Sequence, residues 1–152
     1  MAVKKFKYRL EPLLKIRQHR EKERQKEHAA AAQEVVKQKQ ELESLDFHRA
    51  ETFDLQRQRL VGTMSVAEAL ICSRYLVKLK RQRMAGTGLL HGLEREAEKK
   101  RRKLVEAARE RKMYELLKEK QKLRHRQEIE KFDQKQLDEV AVVAFRRKKE
   151  NG

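Results

Sequence analysis

The chain contains very few of the residues that interrupt helices or build a compact core. One Pro and five Gly occur in 152 residues, and the aromatic residues are five Phe, three Tyr and no Trp. Because turns usually need Pro or Gly, such scarcity predicts a small number of long elements. So little large apolar surface excludes a core of several packed layers.

Cysteine and long apolar runs are also scarce. The single cysteine, Cys72, excludes an intrachain disulfide and makes a reducing compartment the default expectation. No apolar run approaches the ~20 residues of a membrane span. No apolar stretch follows the basic N-terminus, as it would in a secretory signal. We therefore expect a cytosolic protein.

Charged residues, by contrast, are abundant and mixed in sign. They make up 42% of the chain, with a formal net charge of +16, whereas an average domain has about 25%. Their mixture with Leu, Ala and Val favours long helices over a disordered tail. The positive excess favours an anionic partner, which could be nucleic acid, a lipid surface or an acidic protein surface.

The spacing of helix breakers predicts two long helical arms. Pro12 suits a first helical turn, and neither Pro nor Gly recurs before Gly62, which predicts a first arm at about 11–61. Gly62 is a candidate C′ residue, and Ser65 with Glu68 has the form of a capping box. A second helix should therefore start at Ser65.

These arms predict an all-α fold, a long antiparallel two-stranded coiled-coil hairpin that forms a single domain over residues 1–152. A bend at about 61–65 is too short to return the chain to the same end, so the arms run antiparallel. The second arm covers about 65–148, with a possible hinge at 86–92, where Gly86, Gly88 and Gly92 occur. Because the arms differ in length, either the second arm overhangs or its first part folds at these glycines.

The seam between the arms is thin. Five apolar residues of the first arm fall on a and d positions of one heptad frame, and polar residues occupy the others, which predicts a loose coiled coil. These five are Leu14, Ala31, Val35, Leu42 and Leu45. The second arm keeps a heptad-like step and then continues in a shifted frame. The first group is Leu93, Ala97, Leu104, Ala107 and Tyr114, and the second is Leu116, Leu123, Phe132, Val140 and Val143.

No motif points to catalysis, a cofactor or a metal. Gly86-Thr87-Gly88 matches neither dinucleotide nor phosphate-loop patterns, and no hydrophobic strand precedes it. The five histidines show no pairs at helical spacing. We predict that the protein is not an enzyme.

Two regions have both a purely structural and a functional interpretation. Basic runs at Lys4–Arg9 and Arg146–Lys149 should approach the same end of a hairpin, as solvated termini or as a charged end directed toward an acidic opening. Phe47, Tyr75 and Leu79 lie near the bend, as coil core or as a partner-binding patch.

The two ends of the sequence resemble a known family. Phe6-Lys7-Tyr8-Arg9-Leu10-Glu11-Pro12-Leu13-Leu14-Lys15-Ile16-Arg17 resembles the opening of the flagellar export FliJ family, components of the bacterial flagellar type III export apparatus. The stretch from Asp133 to Ala141, continuing to Arg146-Arg147-Lys148, resembles that family's other recurrent segment.

The resemblance implies a coiled coil similar to the rotor shaft of rotary ATPases, and a set of partners. These are the hexameric export ATPase FliI, whose ring the terminal end enters, the membrane export gate protein FlhA, and export chaperones. It implies a cytoplasmic protein, peripherally associated with the inner face of the cell membrane at the flagellar base. It also implies two sets of site residues. The ring-binding candidates are Leu10, Leu13, Leu14 and Ile16 with the facing Asp133, Gln134, Asp138 and Arg146; the gate-binding candidates are Phe47, Tyr75 and Leu79.

An alternative is a basic coiled-coil adaptor that binds nucleic acid or an anionic membrane. An acidic stretch on the first arm counts against nucleic acid, because phosphate binding needs a continuous basic stripe. This stretch comprises Glu41, Glu43, Asp46, Glu51 and Asp54. A third possibility is a structural rod that self-associates.

Overall fold

The computed structural model describes residues 5–150, which form two helices. Helix α1 is Glu11–Leu60 and helix α2 is Val66–Glu150. No strand occurs between residues 5 and 150, and the two helices pack against each other. The predicted all-α antiparallel hairpin is confirmed.

Helix α1 begins at Glu11, so that Pro12 lies in its first turn as predicted. Glu11 N donates to Tyr8 O at 3.3 Å, and Leu14 N donates to Leu10 O at 2.9 Å as the first helical bond. Pro12 therefore occupies the first turn, where its missing N–H leaves no helical carbonyl unpaired.

Helix α2 begins with a complete capping box. Ser65 N donates to Glu68 Oε2 at 3.1 Å, and Glu68 N donates to Ser65 Oγ at 3.3 Å. The backbone N–H of Ser65, and after it the Ser65 side chain, lower the pKa of the Glu68 carboxyl group. The predicted start of the second helix is confirmed, because the reciprocal bonds satisfy two N–H groups that the helix itself cannot.

The turn between the helices uses Gly62 differently from a left-handed cap. Gly62 N donates to Arg59 O at 3.0 Å, and Met64 N donates to Gly62 O at 3.2 Å. Gly62 does not have a positive φ. The chain leaves α1 through a tight i to i+3 turn rather than through the left-handed conformation common at this position.

The chain divides into two compact units, here called the bend unit and the end unit. The bend unit is Lys22–Glu106, and the end unit joins the residues up to Glu21 with those from Ala107 onward. Helix α2 continues through the glycines at 86–92 without a break, so the first part of the second arm does not fold back there. A hinge at 86–92 and a single-domain organisation stay predictions.

Contacts within the bend unit establish its antiparallel register. Arg59 Nη1 lies 3.6 Å from Glu68 Oε1, and Lys39 Nζ lies 3.2 Å from Glu94 Oε1. Between these pairs, the Asp46 carboxylate accepts two bonds from the Arg83 guanidinium. Residue numbers rise along α1 as they fall along α2, which defines two antiparallel helices.

The α1 side of the bend unit's seam is made of side chains that the heptad frame predicted. Ala31, Val35, Leu42 and Leu45 are half-buried on α1, and Leu79 is buried on α2. The polar Gln38 is also buried in this seam, and its Nε2 donates to Gly86 O at 3.2 Å. The thin, partly polar seam predicted from the sequence is confirmed for this unit.

Candidate partner-binding surfaces

The base of the end unit is held by a few buried side chains. Tyr8, Leu14 and Ala107 are buried, and Tyr8 Oη donates to Tyr114 O at 3.0 Å. The Lys118 ammonium lies 5.9 Å from the centroid of the Tyr8 ring. The segment before α1 therefore packs along α2, because an aromatic ring with a polar tip can be buried only where its hydroxyl finds an acceptor.

Ion pairs between the helices supplement this small apolar base. Lys118 Nζ lies 2.7 Å from Glu11 Oε2, and Arg17 Nη1 donates to Glu110 Oε2 at 2.6 Å. The Arg111 guanidinium lies between two carboxylates.

Arg111 Nη1 donates to Glu115 Oε2 at 2.5 Å, while Arg111 Nε forms an ion pair with Glu21 without an aligned hydrogen bond. Glu115 and then Glu21 raise the pKa of Arg111, so its charge is permanent. Polar side chains thus occupy positions that a tighter coiled coil would fill with Leu or Ile.

The ring-binding candidates near the N-terminus divide between the seam and the surface. Leu14 is buried against α2, and Leu10 is half-buried. Leu13 and Ile16 are exposed, by 41% and 60%. Only Leu13 and Ile16 are therefore free to contact a partner.

The candidates near the C-terminus belong to what we call the terminal segment, residues 131–150. Every residue of this segment is exposed. Its members among the candidates are Asp133, Gln134, Asp138 and Arg146. Helix α2 thus continues past the last described residues that could pair with it, so the overhang considered from the unequal arm lengths is correct.

The expected opposition of the two candidate groups is therefore wrong. Glu11 lies opposite Lys118, not opposite residues of the terminal segment. The fifteen residue steps from Lys118 to Asp133 correspond to about 22 Å of helix at ~1.5 Å per residue. A bend close to the middle of the chain would have aligned the ends, but α1 has 50 residues and α2 has 85.

The two basic runs are separated for the same reason. The ring of Phe6 lies 5.7 Å from that of His125, so the N-terminal residues run beside that part of α2. Arg146 is about 30 Å further along the helix. Lys4 lies outside the described residues; for Lys5, Lys7 and Arg9, the expected approach to Arg146–Lys149 is wrong.

The terminal segment exposes large apolar side chains that were not among the candidates. Phe132, Val140 and Val143 were identified in the sequence as part of an apolar stripe, but they were not named as candidates for partner contact. The exposed set comprises Phe132, Leu137, Val140, Val142, Val143 and Phe145. The difference in arm length was the available signal, since residues without a partner helix must face solvent.

The gate-binding candidates near the bend also divide. Leu79 is buried in the seam, whereas Phe47 and Tyr75 are exposed by 66% and 41%. The carboxylates nearest to Phe47 in sequence leave this region less basic than the chain as a whole. Exposed aliphatic residues of the turn were missed; these are Leu60, Val61, Val66, Leu70 and Ile71.

Within residues 5–150, no group of three His, Cys, Asp or Glu residues is arranged to hold a metal ion. Neither α1 nor α2 contains a stretch long and apolar enough to cross a membrane.

Comparison with known proteins identifies the family. No curated protein and no solved structure matches the chain. A family model described as flagellar FliJ protein matches residues 6–150, which includes both resembling stretches, the whole of α1 and α2 and the turn between them. Because the match spans nearly the entire sequence, the chain belongs to the flagellar FliJ protein family.

Proposed function

We propose that this component of the flagellar export apparatus acts as a stalk for the export ATPase FliI. It binds the ATPase ring, promotes ring assembly and raises ATP turnover without hydrolysing ATP itself. The observation that supports this most directly is the terminal segment, an exposed continuation of α2 with both apolar and basic residues. Membership of the flagellar FliJ protein family supports a partner within the flagellar export apparatus, and the choice of FliI is part of the proposal.

The terminal segment has the properties that entry into a ring requires. It is a single helix, about 10–12 Å across with its side chains, and therefore narrower than a helix pair. Val140, Val143 and Phe145 offer apolar contact, while Arg146–Lys149 concentrate positive charge at its tip. Positive charge at the leading end would speed association with an acidic opening.

A second set of contacts is proposed at the base of the terminal segment. Leu13 and Ile16 are exposed on the first turns of α1, where the ring would meet the helix pair. Leu14 acts indirectly, because its burial against α2 holds α1 in place. Asp133, Gln134, Asp138 and Arg146 are proposed as polar contacts with the ring.

The bend unit is proposed to bind the export gate protein FlhA and to escort export chaperones. Phe47 and Tyr75 supply exposed aromatic surface, and Leu79 supports Tyr75 by anchoring its helix in the seam. Through these partners, the protein would act in the cytoplasm at the inner face of the membrane below the flagellum.

The ring proposal is tested by ATP turnover of purified FliI with and without the chain. The wild-type chain should raise turnover, and a variant with Val140→Asp and Phe145→Asp should not. A variant with Leu60→Asp and Val61→Asp is the matched control, because it also replaces two exposed apolar side chains, which are 66% and 92% exposed at the turn. Equal stimulation by all three chains would refute binding through the terminal segment, and no stimulation by any would refute the proposed function.

The same preparations separate this function from the basic-adaptor alternative. Retention on heparin or anionic vesicles that falls steeply with salt, without any association with FliI, would favour the adaptor.

A further inference from the structure

The apolar face of the terminal segment continues the seam of the end unit. About five turns of α-helix contain eighteen residues, so Phe132 lies on the same side of α2 as Tyr114, and Val143 on the same side as His125. Both Tyr114 and His125 are half-buried on the face of α2 that the N-terminal part of the chain covers. The face of α2 that the N-terminal part of the chain covers therefore continues into the terminal segment, where no described residue packs on it.

This face has a shallow groove. Gln136, Glu139, Val140, Val143, Ala144 and Arg147 line it, and all six are exposed. A 20-residue helix without a partner is only marginally stable in water. A second helix in this groove would add the packing that the described chain lacks there.

The charges beside the groove indicate which helix fits. Glu128, Lys135, Glu139 and Arg146 follow one flank of α2 at steps of seven, four and seven residues, and so lie within about one ninth of a turn of one another. In an antiparallel pair of identical helices, the same flank of each copy faces that of the other. Glu128 then meets Arg146 of the second copy, and Lys135 meets its Glu139.

We propose that the terminal segments of two copies of this chain pair antiparallel, with the apolar groove residues Val140, Val143 and Ala144 in the seam and these four charges beside it. The same alignment puts Phe132 against Val143 and Gln136 against Val140 of the second copy. Each charge pair occurs twice in such a dimer. The sequence of charges is complementary to its own reverse, which favours a second copy over an unrelated acidic helix.

The inference does not depend on the ATPase. If the proposed function also holds, the dimer and the ring-bound chain exclude each other, because both use the terminal segment. The dimer is tested on the isolated chain, so its failure leaves the proposed function untouched.

Sedimentation velocity at about 0.15 M salt, where long-range repulsion is screened, measures the dimer dissociation constant. Lys135→Glu and Glu139→Lys should each weaken dimerisation roughly tenfold, because each places like charges at two contacts. An equimolar mixture of the two variants should restore it, since the carboxylate introduced at position 135 of one chain then meets the ammonium introduced at position 139 of the other. The double variant should also be restored.

Lys148→Glu is the matched control, because Lys148 lies thirteen residues beyond Lys135, about 140° around the same helix and away from the charged flank. It should leave the dissociation constant within about twofold. The control also separates pairing from net charge. Lys135→Glu lowers the net charge of +16 and Glu139→Lys raises it, so a net-charge effect would move the two variants in opposite directions.

The outcomes are decisive in either direction. Weakening by both single variants with recovery in the mixture supports the antiparallel pair. A chain that sediments as a monomer up to about 100 µM, where even a weak interface assembles, overturns it. A dimer that persists unchanged in both single variants also overturns it, since another surface must then join the copies. Helix content measured by circular dichroism confirms that each variant is folded.

Discussion

Replacement of Gly86 by Ala tests how closely the two helices of the bend unit approach. A Cβ at Gly86 would lie 2.9 Å from Leu42 Cδ2 and 3.1 Å from Gln38 Nε2, whereas a Cβ at Gly88 would meet nothing within 4 Å. Gln38 also donates to the Gly86 carbonyl and is buried. One glycine is therefore required by a neighbour, and the other, two residues away in the same helix, is not.

The expected free energies of unfolding follow from this difference. Ala is favoured over Gly in a helix interior by about 1 kcal/mol, a gain available at both positions. At Gly86 alone, overpacking costs about 1–3 kcal/mol. Leu42 Cδ2 is the free end of a side chain and can rotate, but Gln38 must also move, and a weakened hydrogen bond costs about 1 kcal/mol. Gly88→Ala should thus stabilise by about 1 kcal/mol and Gly86→Ala destabilise by about 1–3 kcal/mol.

Urea unfolding followed by circular dichroism measures both values against the wild-type chain. Equal or greater stability of Gly86→Ala than of Gly88→Ala would refute the close approach. The same change is also made in a chain that carries Leu42→Ala. Because Leu42→Ala removes the atom nearest to the added Cβ, Gly86→Ala should lower the free energy of unfolding by less in that chain. Strict additivity of the two changes would show that Leu42 and residue 86 do not interact.

Three other changes probe local contacts. Ser65→Ala should cost about 1 kcal/mol through loss of the N-cap, whereas Ser73→Ala on the exposed side of α2 should be nearly neutral; equal unfolding midpoints in urea would contradict the capping box. Tyr8→Phe removes the hydroxyl that donates to Tyr114 O and should cost about 1 kcal/mol; an unchanged midpoint would show that this bond is not stabilising. The Arg101 guanidinium lowers the pKa of Glu98 from 4.5 to about 2. The stabilisation that the ionised Glu98 provides is therefore complete above pH 4.5 and is lost as the pH falls through about 2. The melting temperature of Glu98→Gln should lack this part of the pH dependence, and an identical pH dependence in the variant and the wild-type chain would contradict the prediction.

Local signals in the sequence were sufficient for the elements and much of the seam. Pro12 and the Ser65–Glu68 box mark helix starts because their chemistry is satisfied only in a first turn. The heptad frame identified Leu14 and Leu42 because a two-helix seam repeats every three to four residues. These inferences required no knowledge of distant contacts.

Which candidate side chains are exposed depends on how the two helices are aligned, and the sequence does not define that alignment. Leu79 and Phe47 were each considered as coil core or as a partner contact; Leu79 is buried and Phe47 is exposed, although both are large and apolar. Which of the two enters the seam depends on the heptad position of each residue on its own helix. The opposition of Leu10 to Asp133 failed in the same way, because it assumed that arms of unequal length end together.

The sparse seam has a consequence for how the chain responds to partners. None of the side chains in residues 5–150 is completely buried, and several seam positions hold ion pairs such as Arg17–Glu110. Exposed ion pairs contribute little individually, and they weaken with salt. A partner that binds only the folded chain adds its binding free energy to this small stability. A partner that covers Val140 and Val143 should therefore raise the melting temperature of this chain more than the same partner would raise that of a protein with a large core. The reason is that the binding free energy is then a larger share of the total stability.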